Sequence, residues 1–292
     1  MMPGSPAARA FILLQRLLPQ HILSRLIHAL ARVRLKGFKN LLIGSFVRGF
    51  KPVMSDAREP DPLAYESFNA FFTRELADGA RPMPQDPEIV ASPVDGTISQ
   101  IGYLEHQSIL QAKGRHYLLA ALLGGSAAET AQFAGGAFAT LYLAPYNYHR
   151  IHMPLAGQLR TTRHVPGDLF SVNAVTAAGV ADLFARNERV VCIWDDGRHP
   201  FSMVLVGALF VGSISTVWHH EITPPAGRMT RELPPIRGPS AQLERGEQMG
   251  WFNMGSTVIV LFPKDRVRWL PSLAAGMPVR VGQPLGRLLP PP

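Results

Sequence analysis

Cysteine is all but missing: Cys192 is the single one in 292 residues. A disulfide framework within one chain is therefore excluded, and a reducing compartment is the expectation. Cys192 lies in the apolar run from Arg189 to Trp194, where an unpaired cysteine ordinarily fills core space. Charge is sparse too, at 17% against 47% hydrophobic, which is not the balance of a disordered chain. Long apolar runs are lacking. The most apolar stretch, Met203 to Ile214, is divided by Gly207 and Gly212 and falls short of the ~20 residues that a bilayer span needs. There is no G-x-x-x-x-G-K-[ST], no G-x-G-x-x-G after a strand, no H-E-x-x-H and no G-x-S-x-G. These absences argue against the phosphate-loop, dinucleotide-binding, zinc-protease and nucleophile-elbow classes. No repeat of fixed period is present.

What is present is unevenly placed. The net charge is +8, yet residues 1–58 alone carry +9 and the rest of the chain carries −1. Such asymmetry points to an anionic partner for the N-terminal arm, either nucleic acid or a membrane. Ser5 and Pro6 form a helix opening, and Pro19 breaks or restarts the helix. Beyond it His21, Arg25, His28 and Arg32 share one helical face, with Ile22, Leu26, Ala29 and Val33 on a neighbouring one. Phe38 to Arg48 is a third basic amphipathic piece. A secretory signal is disfavoured because no small-residue cleavage site follows a clean apolar region. Arg16 and Pro19 interrupt the run too early for a membrane span. Two readings stay open: helices packed on the rest of the protein, or an anchor lying in the plane of an anionic membrane. Each Lys or Arg near such a surface adds about 1 kcal/mol. Nucleic acid fits less well, because the basic residues alternate with aliphatics and not with stacking aromatics.

The rest of the chain changes character. Ser55 to Pro62 suits a linker, so the boundaries expected are a 1–58 arm and a 59–292 body. Phe68, Phe71 and Phe72 share a helical face, with Gly79 expected to end that helix. From Ile89 the pattern is of short strands punctuated by Gly and Pro. Asp95-Gly96 is a turn signal between apolar segments, Tyr117 to Leu123 a short helix closed by Gly124, and Val279 to Leu289 a closing hairpin. Strands are expected over Ala137 to Leu143, Arg189 to Trp194 and Met203 to Ile214, a loop over Pro224 to Pro239, and a frayed tail over 290–292. Thr257 to Phe262 is unbroken β-branched and aromatic residue, a buried strand. Gly255-Ser256 precedes it, and taken alone this is a strand entering from a turn.

The densest polar cluster runs from Tyr146 to Pro154 and holds His149 and His152. Pro145 and Pro154 flank it closely, which suits a strand or loop better than a helix. No Cys or carboxylate stands at ligand spacing, so a metal is disfavoured and a histidine base is favoured.

Several ordered blocks carry a family resemblance. They are Phe-Phe-Thr-Arg-Glu-Leu (71–76), Ser-Pro-Val-Asp-Gly (92–96), Gln-Ala-Lys-Gly (111–114), Tyr-His-Arg-Ile-His-Met-Pro (148–154), Pro-Gly-Asp-Leu-Phe-Ser-Val-Asn (166–173), Leu-Phe-Ala-Arg-Asn-Glu-Arg (183–189), Val-Gly-Ala (206–208) and Gly-Ser-Thr-Val-Ile (255–259). Together they resemble the phosphatidylserine decarboxylases of bacterial and mitochondrial type. The small departure is Met254, where leucine is expected, a swap that changes no chemistry. The fold expected is α+β: a mostly antiparallel β core with N-terminal amphipathic helices. Residues 92–98 and 281–286 lend that core a barrel-sandwich or lipoyl-like flavour. The resemblance implies self-cleavage at Gly255-Ser256 into a large β chain (1–255) and a small α chain (256–292), which stay together as a heterodimer. Ser256 then becomes a covalent pyruvoyl group that forms a Schiff base with the substrate amine. It also implies a self-cleavage triad of Asp95, His152 and Ser256, with His152 as base and Asp95 fixing its tautomer. His149, close to these residues in sequence, is the candidate for returning a proton in decarboxylation or for holding the substrate carboxylate. Phosphatidylserine in an anionic membrane would be converted to phosphatidylethanolamine and carbon dioxide, at the cytoplasmic side of the cell membrane, by a peripheral protein. No metal, no pyridoxal phosphate and no nucleic acid is implied, and a higher homo-oligomer is left open. On residues alone two other classes remain: a serine hydrolase that uses Ser256, His152 and Asp95 on an external ester, and a membrane-binding module without activity.

Overall fold

A computed structural model describes residues 4–112, 114–210, 213–223, 229–236, 238, 241–254 and 256–290. Gly255, Gly212, residues 224–228, 237 and 239 of the expected loop, and the last two prolines lie outside the described residues. The fold is α+β with antiparallel sheets, as the sequence leads one to expect. The largest sheet runs β12 (Arg231–Glu232), β7 (Gly157–Val165), β8 (Arg189–Asp195), β9 (Pro200–Val206), β15 (Thr257–Phe262), β5 (Ala137–Tyr142), β2 (Gly96–Tyr103) and β17 (Pro278–Val279), with β13 (Gln242–Leu243) also on β7. A second runs β11 (His220–Glu221), β10 (Ile214–Thr216), β14 (Gln248–Phe252) and β6 (Arg150–His152). A third runs β1 (Ile89–Ala91), β18 (Pro284–Leu288) and β16 (Val267–Trp269), and β3 (Ser108–Ala112) pairs with β4 (Arg115–Leu118). Among the described residues no sheet closes into a barrel.

β15 sits near the middle of the large sheet, and all six of its residues are buried. Its alternation explains the unbroken apolar run. Val258, Val260 and Phe262 join one core, with Val190, Cys192, Trp194, Phe201, Met203 and Leu205. Ile259 and Leu261 join another on the opposite face, with Val191, Ile193, Val204 and Val206. A sheet covered on both faces has no polar side to alternate with. Cys192 is core filler, as its setting suggests, and burial raises its thiol pKa. The second face is covered by α5 (Leu119–Leu123), α7 (Ala174–Gly179) and α8 (Leu183–Arg186), whose Leu119, Leu122, Ala177 and Phe184 enter that core. α6 (Ala127–Ala131) follows α5.

Three expectations are corrected. β1 and β2 flank Asp95-Gly96 but pair with β18 and β5, not with each other, so this turn makes no hairpin. Likewise β17 pairs with β2 and β18 with β1 and β16, so the C-terminal segment is split between two sheets. The helix over the phenylalanines, α4 (Phe68–Phe72), stops well before Gly79. Thr73 closes it, its N–H bonding the carbonyls of Asn69 and Phe71 and its hydroxyl bonding Asn69 again.

The arm forms α1 (Pro6–Leu17), α2 (Gln20–Ala31) and α3 (Lys36–Phe50). The Ser5 hydroxyl caps the Ala8 N–H, and Pro19 separates α1 from α2. Polar side chains tie the arm to the body. Gln15 and Gln20 accept from the N–H groups of Ser171 and Leu169, both at 2.7 Å. His28 and Arg32 meet Glu221. Leu13, Leu14, Leu17, Ile22, Leu26 and Leu30 are left exposed on the same helices. Part of the basic face thus turns inward while aliphatics turn outward. Among the described residues no helix is long and apolar enough to cross a membrane. The expected linker 55–62 is held in place: the Arg58 N–H donates to the Glu75 carbonyl and the Ala77 N–H to the Asp56 carbonyl, both at 2.9 Å.

Because Leu261 is fully buried at the centre of the large sheet, Leu261→Ala is expected to cost about 3 kcal/mol in urea unfolding. A cost under about 1 kcal/mol would show that this face is loosely packed.

Candidate active site

Three adjacent strands bring the first two predicted residues to one edge. Asp95 immediately precedes β2, Ser256 immediately precedes β15, and β5 lies between them. Thr97 and Thr257 both pair with Tyr142 at the end of β5, so Asp95 and Ser256 flank that end two strand spacings apart, roughly 10 Å. Residue 96 has to be glycine for this approach: a Cβ there would lie 2.5 Å from the Tyr142 carbonyl oxygen.

Ser256 is completely buried. Its carbonyl accepts from the Leu143 N–H at 2.8 Å, while its hydroxyl has no hydrogen-bond partner among the described residues. A buried hydroxyl left unpaired is costly, and such atoms call for a functional or structural reason.

Asp95 is held on every side. Its Oδ1 accepts from the Val281 N–H at 2.8 Å and from Arg81 Nε at 3.0 Å, and its Oδ2 accepts from Arg81 Nη2 at 2.6 Å. Arg81 also donates to Asp56 at 3.0 Å. The neighbouring Pro93 carbonyl accepts from the His152 N–H at 2.9 Å, which joins the 92–95 loop to β6.

His152 ends β6. Its Nδ1 stands 2.7 Å from the Gly246 carbonyl and its Nε2 3.0 Å from the Tyr148 hydroxyl. A carbonyl only accepts, so Nδ1 carries the proton and Nε2 receives the Tyr148 O–H. In this structure the Nδ1 proton of His152 goes to Gly246, while the Asp95 carboxylate is taken up by Arg81 and the Val281 N–H. Gly246 adopts φ +87°, a left-handed conformation suited to glycine. Burial lowers the His152 pKa, only partly opposed by the Gly246 bond, and Arg150 pushes the same way as burial. Burial pushes Tyr148 up to about 12, which keeps it a donor. His152 and Tyr148 line a cavity of about 420 Å³ together with Arg81, Gly246 and Val281.

His149 lies deeper, at the other end of the same short segment. It is fully buried and stacks on Phe72, with centroids 4.1 Å apart and planes 18° apart. Its Nε2 donates to the Pro145 carbonyl at 3.2 Å, and its Nδ1 has no partner among the described residues. The His149 carbonyl accepts from the Phe252 N–H at 3.0 Å, four residues before Ser256. Pro145 follows two residues after Leu143, whose N–H bonds Ser256. By both routes His149 belongs to the Ser256 side, whereas His152 pairs with Gln248 further along β14. Backbone bonds thus link His152 to the 92–95 loop that carries Asp95, and link both Ser256 and β14 to the 143–149 segment that carries His149. Among the described residues no hydrogen bond from the Ser256 hydroxyl joins them. No group of three or more His, Cys, Asp or Glu is placed to hold a metal ion among the described residues.

Sequence reasoning passed over Arg81, Tyr148 and Gly246. The partner of Arg81, Asp95, is 14 residues away with no local signal to join them. Tyr148 lay inside the polar cluster, but only the fold shows that its hydroxyl reaches one histidine and not the other.

His149 makes stability depend on pH. Burial lowers its pKa from 6.5 to about 3. A depressed histidine pKa means that the unfolded chain binds the proton more readily. Its stabilisation is therefore complete above pH 6.5 and lost as pH falls toward 3, at about 1.4 kcal/mol per pH unit. Urea unfolding of a Ser256→Ala single chain is expected to follow that slope, and adding His149→Phe should flatten it by the same amount. Equal slopes in the two proteins would show that His149 takes up its proton without unfolding.

Comparison with known proteins bears on these residues as a set. The profile of the family described as "Phosphatidylserine decarboxylase" matches residues 68–287, and a second, described as "PSD", matches residues 10–51. The chain is 53% identical over 287 residues to a phosphatidylserine decarboxylase proenzyme of Pseudomonas fluorescens Pf-5, covering 97% of this chain and 98% of that protein. It is 51% identical over 280 residues to that of Ectopseudomonas mendocina, covering 95% and 98%. It is 50% identical over 283 residues to that of Pseudomonas putida F1, covering 95% and 97%. With its blocks in order across both arm and body, the chain belongs to the phosphatidylserine decarboxylase family.

Proposed function

We propose that this protein is made as a precursor, cuts itself between Gly255 and Ser256, and decarboxylates phosphatidylserine to phosphatidylethanolamine. The observation that carries the reading is the Ser256 hydroxyl: completely buried, without a partner, and next to the bond to be cut. Such a hydroxyl is poorly solvated and free to turn toward the preceding carbonyl. Attack by Ser256 Oγ on the Gly255 carbonyl carbon moves the acyl group from nitrogen to oxygen. Removal of the Ser256 Cα proton then expels the Gly255 carboxylate, and the resulting enamine hydrolyses with loss of ammonia. Water supplies the ketone oxygen, and pyruvoyl is left at the new N-terminus. The two products are a large chain, 1–255, and a small chain, 256–292.

The residues present suit that group. β15 is paired on both sides from Thr257 onward, and the Leu143 N–H holds the Ser256 carbonyl, so the new N-terminus stays where the serine was. When formed, the pyruvoyl carbonyl supplies the electron sink that accepts the bonding pair as carbon dioxide leaves. His152, neutral through burial, acts as base in self-cleavage. To reach Ser256 it must exchange its bond to Tyr148. Asp95 acts with it by holding Arg81 and the 92–95 loop against β6. His149, with its unpaired Nδ1, serves the decarboxylation step by returning a proton to the substrate carbon or holding the departing carboxylate. The domain reading follows: an arm of 1–58 meets the membrane, and 59–292 carries the chemistry. Support comes from the exposed Leu13, Leu17, Ile22 and Leu26 beside the arm's excess of positive charge. This suits a peripheral protein on the cytoplasmic side of the cell membrane.

Intact mass measurement decides the first step. Wild type is expected as two polypeptides and Ser256→Ala as one. A wild-type chain recovered whole with a free serine, and active on external esters, would establish a hydrolase instead. His152→Ala is expected to block the cut, while His149→Ala is cut but makes no phosphatidylethanolamine; the reverse pattern would exchange the two roles. Replacing Leu17, Ile22 and Leu26 by glutamine is expected to weaken binding to phosphatidylserine vesicles at least about tenfold while leaving self-cleavage intact. Unchanged flotation with vesicles would remove the arm from membrane binding.

A further inference from the structure

A second cavity, of about 560 Å³, opens between the arm and the body. Five arginines line it: Arg32, Arg34, Arg58, Arg74 and Arg150. Four of them are paired with carboxylates: Arg32 with Glu221, Arg34 with Glu66, Arg58 with Glu75 and Asp78, and Arg150 with Glu75. Arg74 has no such partner among the described residues, yet it is the most deeply placed, with 3% of its surface exposed. Its guanidinium lies over the Phe71 ring, 5.8 Å from the centroid, and only its Nη2 makes hydrogen bonds, two long ones of 3.4 Å to the neutral carbonyls of Tyr146 and Asn147. Its Nε and Nη1 have no acceptor among the described residues. A buried guanidinium without a counter-ion burdens the fold unless a ligand completes it. Each edge of the Arg74 guanidinium, Nε–Nη2 and Nη1–Nη2, keeps an unfilled N–H donor that an oxyanion such as phosphate can accept from.

The same wall leads toward Ser256. Asn69 lines the cavity and carries a buried Oδ1 without a partner, while its Nδ2 donates to Asn253 Oδ1 at 3.1 Å. Asn253 stands three residues before Ser256. Phe72, on the same short helix as Asn69, stacks on His149. At the other end of the cavity, Arg34 is widely exposed where α2 passes into α3, beside the helices that turn aliphatics outward. The cavity thus reaches from the arm to Asn69, whose side chain bonds the segment that leads into Ser256.

We propose that this cavity, with Arg74 as its floor, is the subsite for the phosphate of the lipid headgroup. The headgroup identity rests on the decarboxylase reading; the anion site rests on the geometry. In phosphatidylserine one oxygen and two carbons separate phosphorus from the amine nitrogen. Seating the phosphate here directs the amine toward residue 256. Arg34 at the mouth attracts the headgroup, and Arg74 binds it after desolvation.

The test uses the full-length Ser256→Ala chain, which cannot turn over its ligand, titrated calorimetrically with sn-glycero-3-phospho-L-serine and separately with inorganic phosphate. Headgroup binding is expected, with Arg74→Gln weakening it roughly 10- to 100-fold and Arg34→Gln about threefold. Parent-like affinity in both variants overturns the site. Inorganic phosphate binding as tightly as the headgroup ester overturns the headgroup assignment. Should Arg74→Gln fail to fold, Arg34→Gln in the self-cleaved enzyme provides the second measurement: KM for phosphatidylserine rises with kcat unchanged, and an unchanged KM overturns the proposal. Binding that depends on Arg74 in a protein without decarboxylase activity would retain the anion site and remove only the decarboxylase reading.

Discussion

Everything at the site depends on β15 being hydrogen-bonded on both sides. β5 and β9 pair with it along its length, and the bond from the Leu143 N–H extends this to Ser256 itself. A residue held this way keeps its backbone position while its side chain remains free to react. An edge strand would leave one side of the serine open to solvent, whose hydrogen bonds would satisfy the hydroxyl and blunt its reactivity. The cost is a strand with no polar face, which is why two separate cores have to form, one on either side of the sheet.

The two histidines show how one short segment can supply two environments. His149 and His152 are three residues apart, yet one stacks on Phe72 with a bare Nδ1 and the other is bonded at both nitrogens. Burial lowers both pKa values, so both are neutral near pH 7. What separates them is access: His152 lines a cavity, whereas His149 is fully buried. Roles divided between a base that meets the chain and an enclosed group are consistent with that difference.

Local patterns carried much of the fold in the sequence. The Ser5-Pro6 opening, the Pro19 break, the Gly124 cap and the strand at Thr257 all depend on neighbours in sequence, and all occur where expected. Pairing was not legible. Asp95-Gly96 resembles a hairpin turn, but Gly96 is needed instead for close passage beside Tyr142, a contact 46 residues away. Arg81 and Arg74 were unreadable for the same reason, since one depends on a distant carboxylate and the other on the lack of one. The positive charge of the arm was plain from composition, but not that His28 and Arg32 would turn inward to Glu221.

The split of the C-terminal segment between two sheets has a consequence for the life of the molecule. A cut before Ser256 would leave a 37-residue piece whose strands remain threaded among those of the larger piece: β15 between β5 and β9, β17 on β2, β18 on β1. The two pieces would be interlocked without a covalent tie. Folding would then be a one-way history, with the chain acquiring its topology while whole and keeping it by burial once divided. A denatured enzyme would face a search between two molecules for a register that the precursor found within one. Loss of the fold would be close to irreversible, and replacement would require new synthesis.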